Sequence, residues 1–405
     1  MPDPAALDAA DPLAFARERF RIPDGIIYLD GNSLGAMPAA APASLADVAT
    51  RQWGDDLIAS WNKHSWIDWP TRIAAKLATI VGARSSELLI ADSTSVSLFK
   101  LLAAAVRARP GRRIILTQRS NFPTDLYVAT GLADMLGLQL RMVEPHDIVS
   151  AISEEIAVVT LTHVDYRSSA IHDMRAINEA AHAAGALTLW DLSHSAGAIE
   201  LALSTTGTDL AVGCGYKYLN GGPGAPAFIY VAERLQDELR NPLQGWMGHA
   251  EPFAFSDHYH AASGILRFQS GTPPIIALAA LEAGIDTFQG IAMEHIAAKS
   301  RSLSQLFVDE VEGRCGTSVR LASPREPTAR GSHVAFAHPE GYAVIQALIA
   351  RGIVGDFRAP DLMRFGFAPL YNTHAQMVRA AQALAAILAT REWDQLRFKE
   401  RAKVT

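Results

Sequence analysis

The sequence predicts an α/β protein: a large domain on a mainly parallel sheet, followed by a smaller α+β C-terminal domain. Three observations carry that expectation. Between residues 88 and 231, short apolar runs of strand length alternate with helix-length patterns, as in a parallel sheet covered by helices on both faces. At Pro273-Pro274 the alternation gives way to two long helical patterns and then to a different rhythm of short strands and helices. A chain of 405 residues with 49% hydrophobic and 19% charged side chains supplies a large core and exceeds one ordinary domain. The expected division is 1–37 as an N-terminal segment packing with the small domain, 38–290 as the large domain and 291–405 as the small one.

Taken in order, residues 11–20 form an amphipathic helical pattern, and Gly25-Ile-Ile-Tyr-Leu-Asp30 a short strand. That strand runs into Gly31-Asn-Ser-Leu-Gly35, a turn whose glycines permit close backbone approach. Pro38 opens a long helical pattern carrying Leu45, Val48, Trp53, Leu57 and Ile58. Residues 61–69 hold Trp61, Trp66 and Trp69, ahead of a helix starting at Pro70. Three rings so close cannot all lie deep in one small element; they pack under a long loop or form an aromatic wall for a flat ligand. Strands are expected at 88–90, 113–116, 140–143, 156–161, 186–190, after Asp209, and at 225–231, with helices at 94–106, 123–135 and 174–184. Helices at 275–288 and 291–310 form the connector out of the large domain. Short strands at 318–321, 333–336 and 362–367 then alternate with helices at 342–351 and 374–390.

Composition narrows the function. A net charge of -6 gives no reason to expect nucleic acid or an anionic membrane as partner. Apolar runs are too short to span a bilayer, and the N-terminus shows no basic region followed by an apolar run, so neither anchor nor signal is expected. Two cysteines, Cys214 and Cys315, make neither a disulfide framework nor a metal-ligand pattern, which fits a reducing cytoplasm and no metal site.

In an open parallel sheet, ligands bind beyond the carboxyl ends of the strands. After Ile90 comes Asp92-Ser-Thr-Ser-Val-Ser97, opening a helix: hydroxyls and free N–H groups suited to a phosphate, or ordinary N-capping by Asp92 or Ser93. After Leu116 comes Ser120-Asn-Phe-Pro-Thr-Asp125, with an aromatic ring and a carboxylate. Leu161 is followed by the polar run Thr162-His-Val-Asp-Tyr-Arg-Ser-Ser169, which adds Thr162 to the candidate contacts. Trp190 is followed by Asp191-Leu-Ser-His194, where Asp191 is either a buried acid awaiting a cationic partner or the N-cap of a helix over 193–203. The run after Asp209 delivers Lys217 into a loop with Gly221, Gly222 and Gly224. It is a candidate nucleophile toward carbonyls, or a solvated lysine in a glycine-rich turn. Phosphate cradle, ring, buried acid and lysine together are the inventory of a pyridoxal 5′-phosphate site.

Seven stretches carry a closer likeness: Tyr28-Leu-Asp-Gly-Asn-Ser-Leu-Gly35, Phe122-Pro-Thr-Asp125, Asp191-Leu-Ser-His194, Gly215-Tyr-Lys-Tyr-Leu-Asn220, Gly245-Trp-Met-Gly-His249, Gly271-Thr-Pro-Pro274 and Arg364-Phe-Gly-Phe-Ala-Pro-Leu-Tyr371. By these the chain resembles the kynureninases, in the aminotransferase class V branch of fold-type I pyridoxal-phosphate enzymes. The resemblance implies that Lys217 condenses with the cofactor aldehyde and Asp191 pairs with the pyridinium nitrogen. It further implies that Phe122 stacks on the ring with Asp125 near its polar edge. Thr94, Ser95 and Tyr216 would bind phosphate, and His194 would line the pocket. Trp246 and Thr272 would come from the neighbouring subunit of a homodimer. Arg364 would clamp the substrate α-carboxylate, a bidentate task lysine does poorly, and Ser33 and Trp66 would contact the rest of the substrate. Thr272 stands where some members have asparagine, which bears on the choice between kynurenine and 3-hydroxykynurenine.

The implied reaction is hydrolysis of L-kynurenine to anthranilate and L-alanine, in tryptophan degradation by the kynurenine pathway toward NAD. Lys217 would move the Cα proton, Asp191 would keep the pyridinium charged, and Tyr216 would donate or relay a later proton. A cysteine desulfurase or other class V lyase is the alternative enzyme, with Cys315 on a mobile loop as its nucleophile. Cys214, inside an apolar strand, reads as a small core residue. A non-catalytic relative of this fold would be expected to lose Lys217, Asp191 or Arg364, and the chain retains all three.

Overall fold

A computed structural model describes residues 3–401; the outermost residues of the two expected end segments, 1–2 and 402–405, lie outside the described residues. Its centre is a seven-stranded sheet made of β1 (Leu88–Ile90), β2 (Ile114–Gln118), β3 (Gln139–Val143), β4 (Ile156–Thr162), β5 (Leu187–Asp191), β6 (Leu210–Gly213) and β7 (Phe228–Val231). The spatial order is β1-β7-β6-β5-β4-β2-β3. β2 to β6 pair in parallel with their neighbours, whereas β7 runs antiparallel to both β6 and β1. Every residue of β4 to β7 is buried, because helices cover both faces. That is why these strands read as largely apolar runs.

The covering helices are closed by local chemistry. Ser93 caps Thr94–Arg107 through Val96 N, Asp173 caps Met174–Ala183 through Ala176 N, and Pro123 opens Pro123–Leu136. Trp69–Val81 ends on left-handed Gly82. A second apolar core, formed by residues such as Phe307, Phe336, Leu348, Phe365 and Leu384, lies under an antiparallel sheet of β8 (Arg320–Leu321), β9 (His333–Ala337), β10 (Asp356–Arg358) and β11 (Leu362–Gly366), ordered β8-β9-β11-β10. Ile27 and Leu29 belong to this second core, and Ile27–Tyr28 pairs with Ile353–Val354. Leu13, Ala16 and Phe20 instead pack into the core of the large sheet. The N-terminal segment therefore stands in both cores, and Asp30 bridges to Gly366.

Three local expectations are corrected. The helix expected over 11–20 is only a 3-10 turn, Ala14–Arg19, with Phe20 already in a short strand; the α-helix of this segment, Pro4–Ala9, lies ahead of Asp11 and Pro12. The long helix expected from Pro38 breaks into Ala41–Asp47, a wide π turn Val48–Asp55 and a 3-10 turn Leu57–Ala59; Gly54 and left-handed Leu57 (φ 50°) end its regularity. No helix follows Asp191: residues 193–203 form successive turns, so its carboxylate is not a helix cap. Among the described residues, no helix is long and apolar enough to cross a membrane.

Candidate active site

The connection from β6 to β7 delivers Lys217 at the carboxyl end of the sheet, and its residue is 9% exposed. The loop is held from the N-terminal segment, where Gly35 N donates to Tyr216 O at 2.8 Å. A Cβ on Gly35 would lie 2.3 Å from Lys217 O, so only glycine lets these backbones meet. Nζ of Lys217 lies 5.7 Å from the Phe122 ring centre and 5.9 Å from that of Tyr216.

Around the lysine stand three strand ends. β4 and β5 pair Thr162 with Asp191, so these two side chains occupy adjacent positions. Asp191 is buried and its Oδ1 accepts from Ser193 N at 2.7 Å. Burial pushes the Asp191 carboxyl up, opposed by the Ser193 hydrogen bond and the Lys217 charge. Burial, then the charge of Asp191, push Asp125 well above the usual carboxylate range. Thr162 Oγ1 reaches Asp125 Oδ2 at 3.4 Å. Asn121 organises this corner: its Oδ1 accepts from Phe122 N at 2.8 Å, from Thr162 N at 3.2 Å and from Thr162 Oγ1. His194 is buried edge-on to His333, their rings 5.3 Å apart, and burial holds it well below the ordinary histidine range. Its Nδ1 has no hydrogen-bond partner.

Beside this cluster a cavity of about 570 Å³ is walled by Asp92, Ser93, Thr94, Tyr216 and the Pro223–Pro226 turn. Ser95 follows in the same first helical turn, half-buried. Burial, then the nearby Cys214 and Asp191, push the Tyr216 phenol up, so it keeps its proton. A second, mostly apolar cavity of about 680 Å³ includes Trp66 in its wall and shares Pro223 and Pro274 with the first. Trp66 is buried, packs edge-on to half-buried Trp61 at 5.8 Å and donates from Nε1 to Gln52 Oε1 at 2.7 Å; Trp69 is buried too.

Arg364, on β11, is buried within a tight set of partners. Its Nε donates to Asp356 Oδ1 at 2.8 Å, and Nη2 donates to Asp356 Oδ2. Nη1 donates to Tyr166 O, and Nη2 also reaches Ser33 Oγ at 3.5 Å. Ser33 Oγ itself donates to Asp356 Oδ2 at 2.9 Å. Burial pushes Asp356 up, but the Arg364 guanidinium outweighs it and holds the carboxyl below its ordinary range. Burial, then the charge of Asp356, raise the adjacent Asp30 to about 7.

Trp246 and Thr272 do not join this cluster. Both are exposed on the chain that carries them, and their segments are tied together by Met247 N donating to Ser270 O at 3.3 Å.

Residues 296–384 match the family described as "Kynureninase C-terminal domain". Along its full length the chain is 50% identical to the kynureninase of Pseudomonas fluorescens, covering 100% of this chain and 99% of that protein. It is 48% identical to the kynureninase of Burkholderia mallei (strain SAVP1), covering 99% of this chain and 98% of that one. The chain belongs to the kynureninase family. More distant solved structures share the fold. The apo cysteine desulfurase of Thermococcus onnurineus NA1 superposes with a TM-score of 0.80 at 20% identity, covering 93% of this chain and 98% of that one. A C-DES variant with glycine covalently linked to its PLP cofactor gives 0.79 at 16% identity, covering 91% and 98%. The fold-type I architecture expected from the sequence is thus the observed one.

For a kynureninase-family chain, Cys315 has a structural role. It is the last residue of helix Met293–Cys315, buried in the second core, with its thiol pushed up to about 11 by burial. That corrects the desulfurase alternative, which needed this thiol on a mobile loop. Cys214 is buried one residue past β6, as expected of a core residue. Sequence reasoning missed Asn121, Asp356 and His333. Asn121 sat in the strand-end run already singled out, whereas Asp356 and His333 lie in short strands with no motif to mark them.

Proposed function

We propose that the chain hydrolyses the Cβ–Cγ bond of L-kynurenine, giving anthranilate and L-alanine, with pyridoxal 5′-phosphate bound at Lys217. The observation that carries this reading is the buried Asp191 carboxyl within electrostatic reach of Lys217, in a chain that matches kynureninases over its whole length. The residues fit the cofactor. Two buried carboxyls face one lysine, and the buried Nδ1 of His194 lacks a partner that a polar ring substituent would supply.

When bound, the cofactor supplies an aldehyde that captures the substrate amine and a ring that draws electrons from its Cα. Lys217 Nζ would hold that aldehyde and, when free, would be the base that takes the Cα proton. Asp191 would keep a proton on the ring nitrogen, Phe122 would lie against the ring, and Thr162, held by Asn121, would orient Asp125 toward its polar edge. Thr94, Ser95 and Tyr216 would bind the phosphate. Arg364 binds the α-carboxylate, with Ser33 beside it, and Trp66 borders the space for the aryl ring. Tyr216 Oη, protonated at neutral pH, donates or relays the proton that the departing carbon takes up after water adds to the γ-carbonyl.

The reading extends to a homodimer in which Trp246 and Thr272 complete the neighbour's site; their exposure on their own chain supports it. It also takes in a cytoplasmic location, which the two free, buried cysteines suit, and the tryptophan-degrading pathway of the substrate. The division at 38–290 and 291–405 goes with it, supported by the two separate apolar cores. The test uses purified protein: absorbance of the lysine-bound cofactor, and anthranilate fluorescence on adding L-kynurenine with 3-hydroxykynurenine as competitor. Lys217→Ala is expected to abolish both signals. Retention of either would sink the assignment.

A further inference from the structure

Lys100 lies in the second turn of helix Thr94–Arg107 with its side chain fully buried. A buried ammonium must be answered by a carboxylate or by carbonyls, because an isolated charge there is costly. Two groups answer it. Asp92 Oδ2 accepts from Nζ at 2.6 Å, and the Phe268 carbonyl oxygen accepts from the same atom. Burial holds the Lys100 amine below its ordinary range, opposed by Asp92.

Asp92 is the residue that makes this pair more than structural. It sits in the wall of the cavity of about 570 Å³ with Ser93, Thr94 and Tyr216, and its side chain is 25% exposed. Its backbone is left-handed, φ 52°, which a residue with a side chain rarely adopts without being held. The hold comes from two directions: the Asp92 carbonyl accepts from Ala227 N at 2.9 Å, and the carboxylate is fixed by Lys100. An unanswered carboxylate on the wall of a phosphate site would repel the dianion. Lys100 answers it from behind, inside the helix, without itself lining the cavity.

We infer that Lys100 is a positioning residue for the cofactor phosphate, neutralising Asp92 and tying the 92–94 loop to the segment that runs from Phe268 to Thr272. This rests on the pyridoxal-phosphate reading of the site. The link reaches further, because Ser270, two residues past Phe268, also accepts from Met247 N at 3.3 Å beside Trp246. Phosphate binding and the placement of the Trp246 and Thr272 segments therefore share one buried cation.

The test titrates the full-length protein, freed of cofactor, with pyridoxal 5′-phosphate and with pyridoxal, which lacks the phosphate. Lys100→Met is expected to weaken the phosphate form about tenfold or more and pyridoxal less than about twofold, since the loss acts through charge at the phosphate. Asp92→Asn alone should bind the phosphate form as well as or better than the parent. In the Asp92→Asn background, Lys100→Met should cost under about twofold, because the charge it cancelled is gone. This second comparison decides the matter even where Lys100→Met alone does not fold. Equal loss of both ligands, a further tenfold loss in the Asp92→Asn background, or a tenfold loss on Asp92→Asn alone would each overturn the inference. Parent protein that binds neither ligand would overturn the cofactor reading itself, and the inference with it. A parent that prefers the phosphate form, with that preference unchanged in Lys100→Met, overturns the inference alone.

Discussion

The guanidinium of Arg364 has five N–H donors, and four hydrogen bonds leave it toward Asp356, Tyr166 and Ser33. In the role proposed for Arg364, a substrate carboxylate would share a cation that Asp356 already holds, and Asp30 stands next to that pair. Asp30 keeps its proton up to about 7, so at neutral pH it is close to releasing a second negative charge beside the clamp. Two pH effects follow, both of the same sign. The KM for the carboxylate-bearing substrate is expected to rise as the pH climbs through 7, and Asp30→Asn should flatten that rise. Stability behaves likewise: a carboxyl that binds its proton more tightly folded than unfolded contributes fully below its ordinary 3.8 and loses that contribution as the pH rises through about 7. Urea midpoints between pH 4 and 8 should therefore fall less steeply with pH in Asp30→Asn than in the parent. An unchanged slope in both measurements would contradict the placement of Asp30. Arg364 and Ser33 were legible beforehand, through the resemblance, but Asp356 was not. No motif marks Asp356-Phe357-Arg358 in the sequence, and only the fold brings Asp356 against Ser33 from the far end of the chain.

At the scale of elements, the turn Gly31–Gly35 and the lysine loop behave as one unit. Gly35→Ala would place a methyl 2.3 Å from Lys217 O and 2.5 Å from Asn220 Oδ1. Overpacking of that kind costs about 1–3 kcal/mol. The expected outcome is a stability loss of that size together with reduced cofactor occupancy, checked by denaturation and by absorbance of the lysine-bound cofactor. A stability loss with full occupancy would mean that the turn does not position the lysine. The strands and the residues following them were readable because burial on both faces leaves an apolar run, and its end is where polarity resumes. Strand direction was not, since nothing in Phe228–Val231 distinguishes an antiparallel partner from a parallel one. The helix expected from Pro38 failed for another reason. Its apolar spacing is real, but Trp53, Leu57 and Ile58 are 58%, 61% and 81% exposed, so they cover no core of this chain and impose no regular helix on it.

For the whole molecule, the proposed dimer makes a prediction that no single chain can satisfy. Lys217→Ala chains keep Trp246 and Thr272, and chains carrying Trp246→Ala with Thr272→Ala keep Lys217. Mixed and re-associated at random, two such inactive populations should recover about a quarter of the parent activity, because half the dimers are mixed and each holds one intact site. Activity assays after mixing, with size-exclusion chromatography to follow the dimer, provide the check. No recovery in a confirmed mixed dimer would place Trp246 and Thr272 with their own chain's site. The sequence pointed to the residues of this arrangement through the GWMGH and GTPP stretches. Their exposure is a property of the folded surface and could not be inferred from composition.

The reversed direction of β7 has one more consequence. Because β7 returns antiparallel to β6, the chain carrying Lys217 never leaves the carboxyl end of the sheet and is moored to a core strand on both sides. The other strand ends in β1 to β5 hand the chain on to covering helices or long excursions, where added residues can bulge outward. Between Cys214 and Gly221 every residue but half-buried Tyr216 is buried, and Gly221 N closes the turn onto Gly215 O, so there is no such slack. A single inserted residue there would displace Lys217 from the proposed site, so this stretch is expected to be fixed in length.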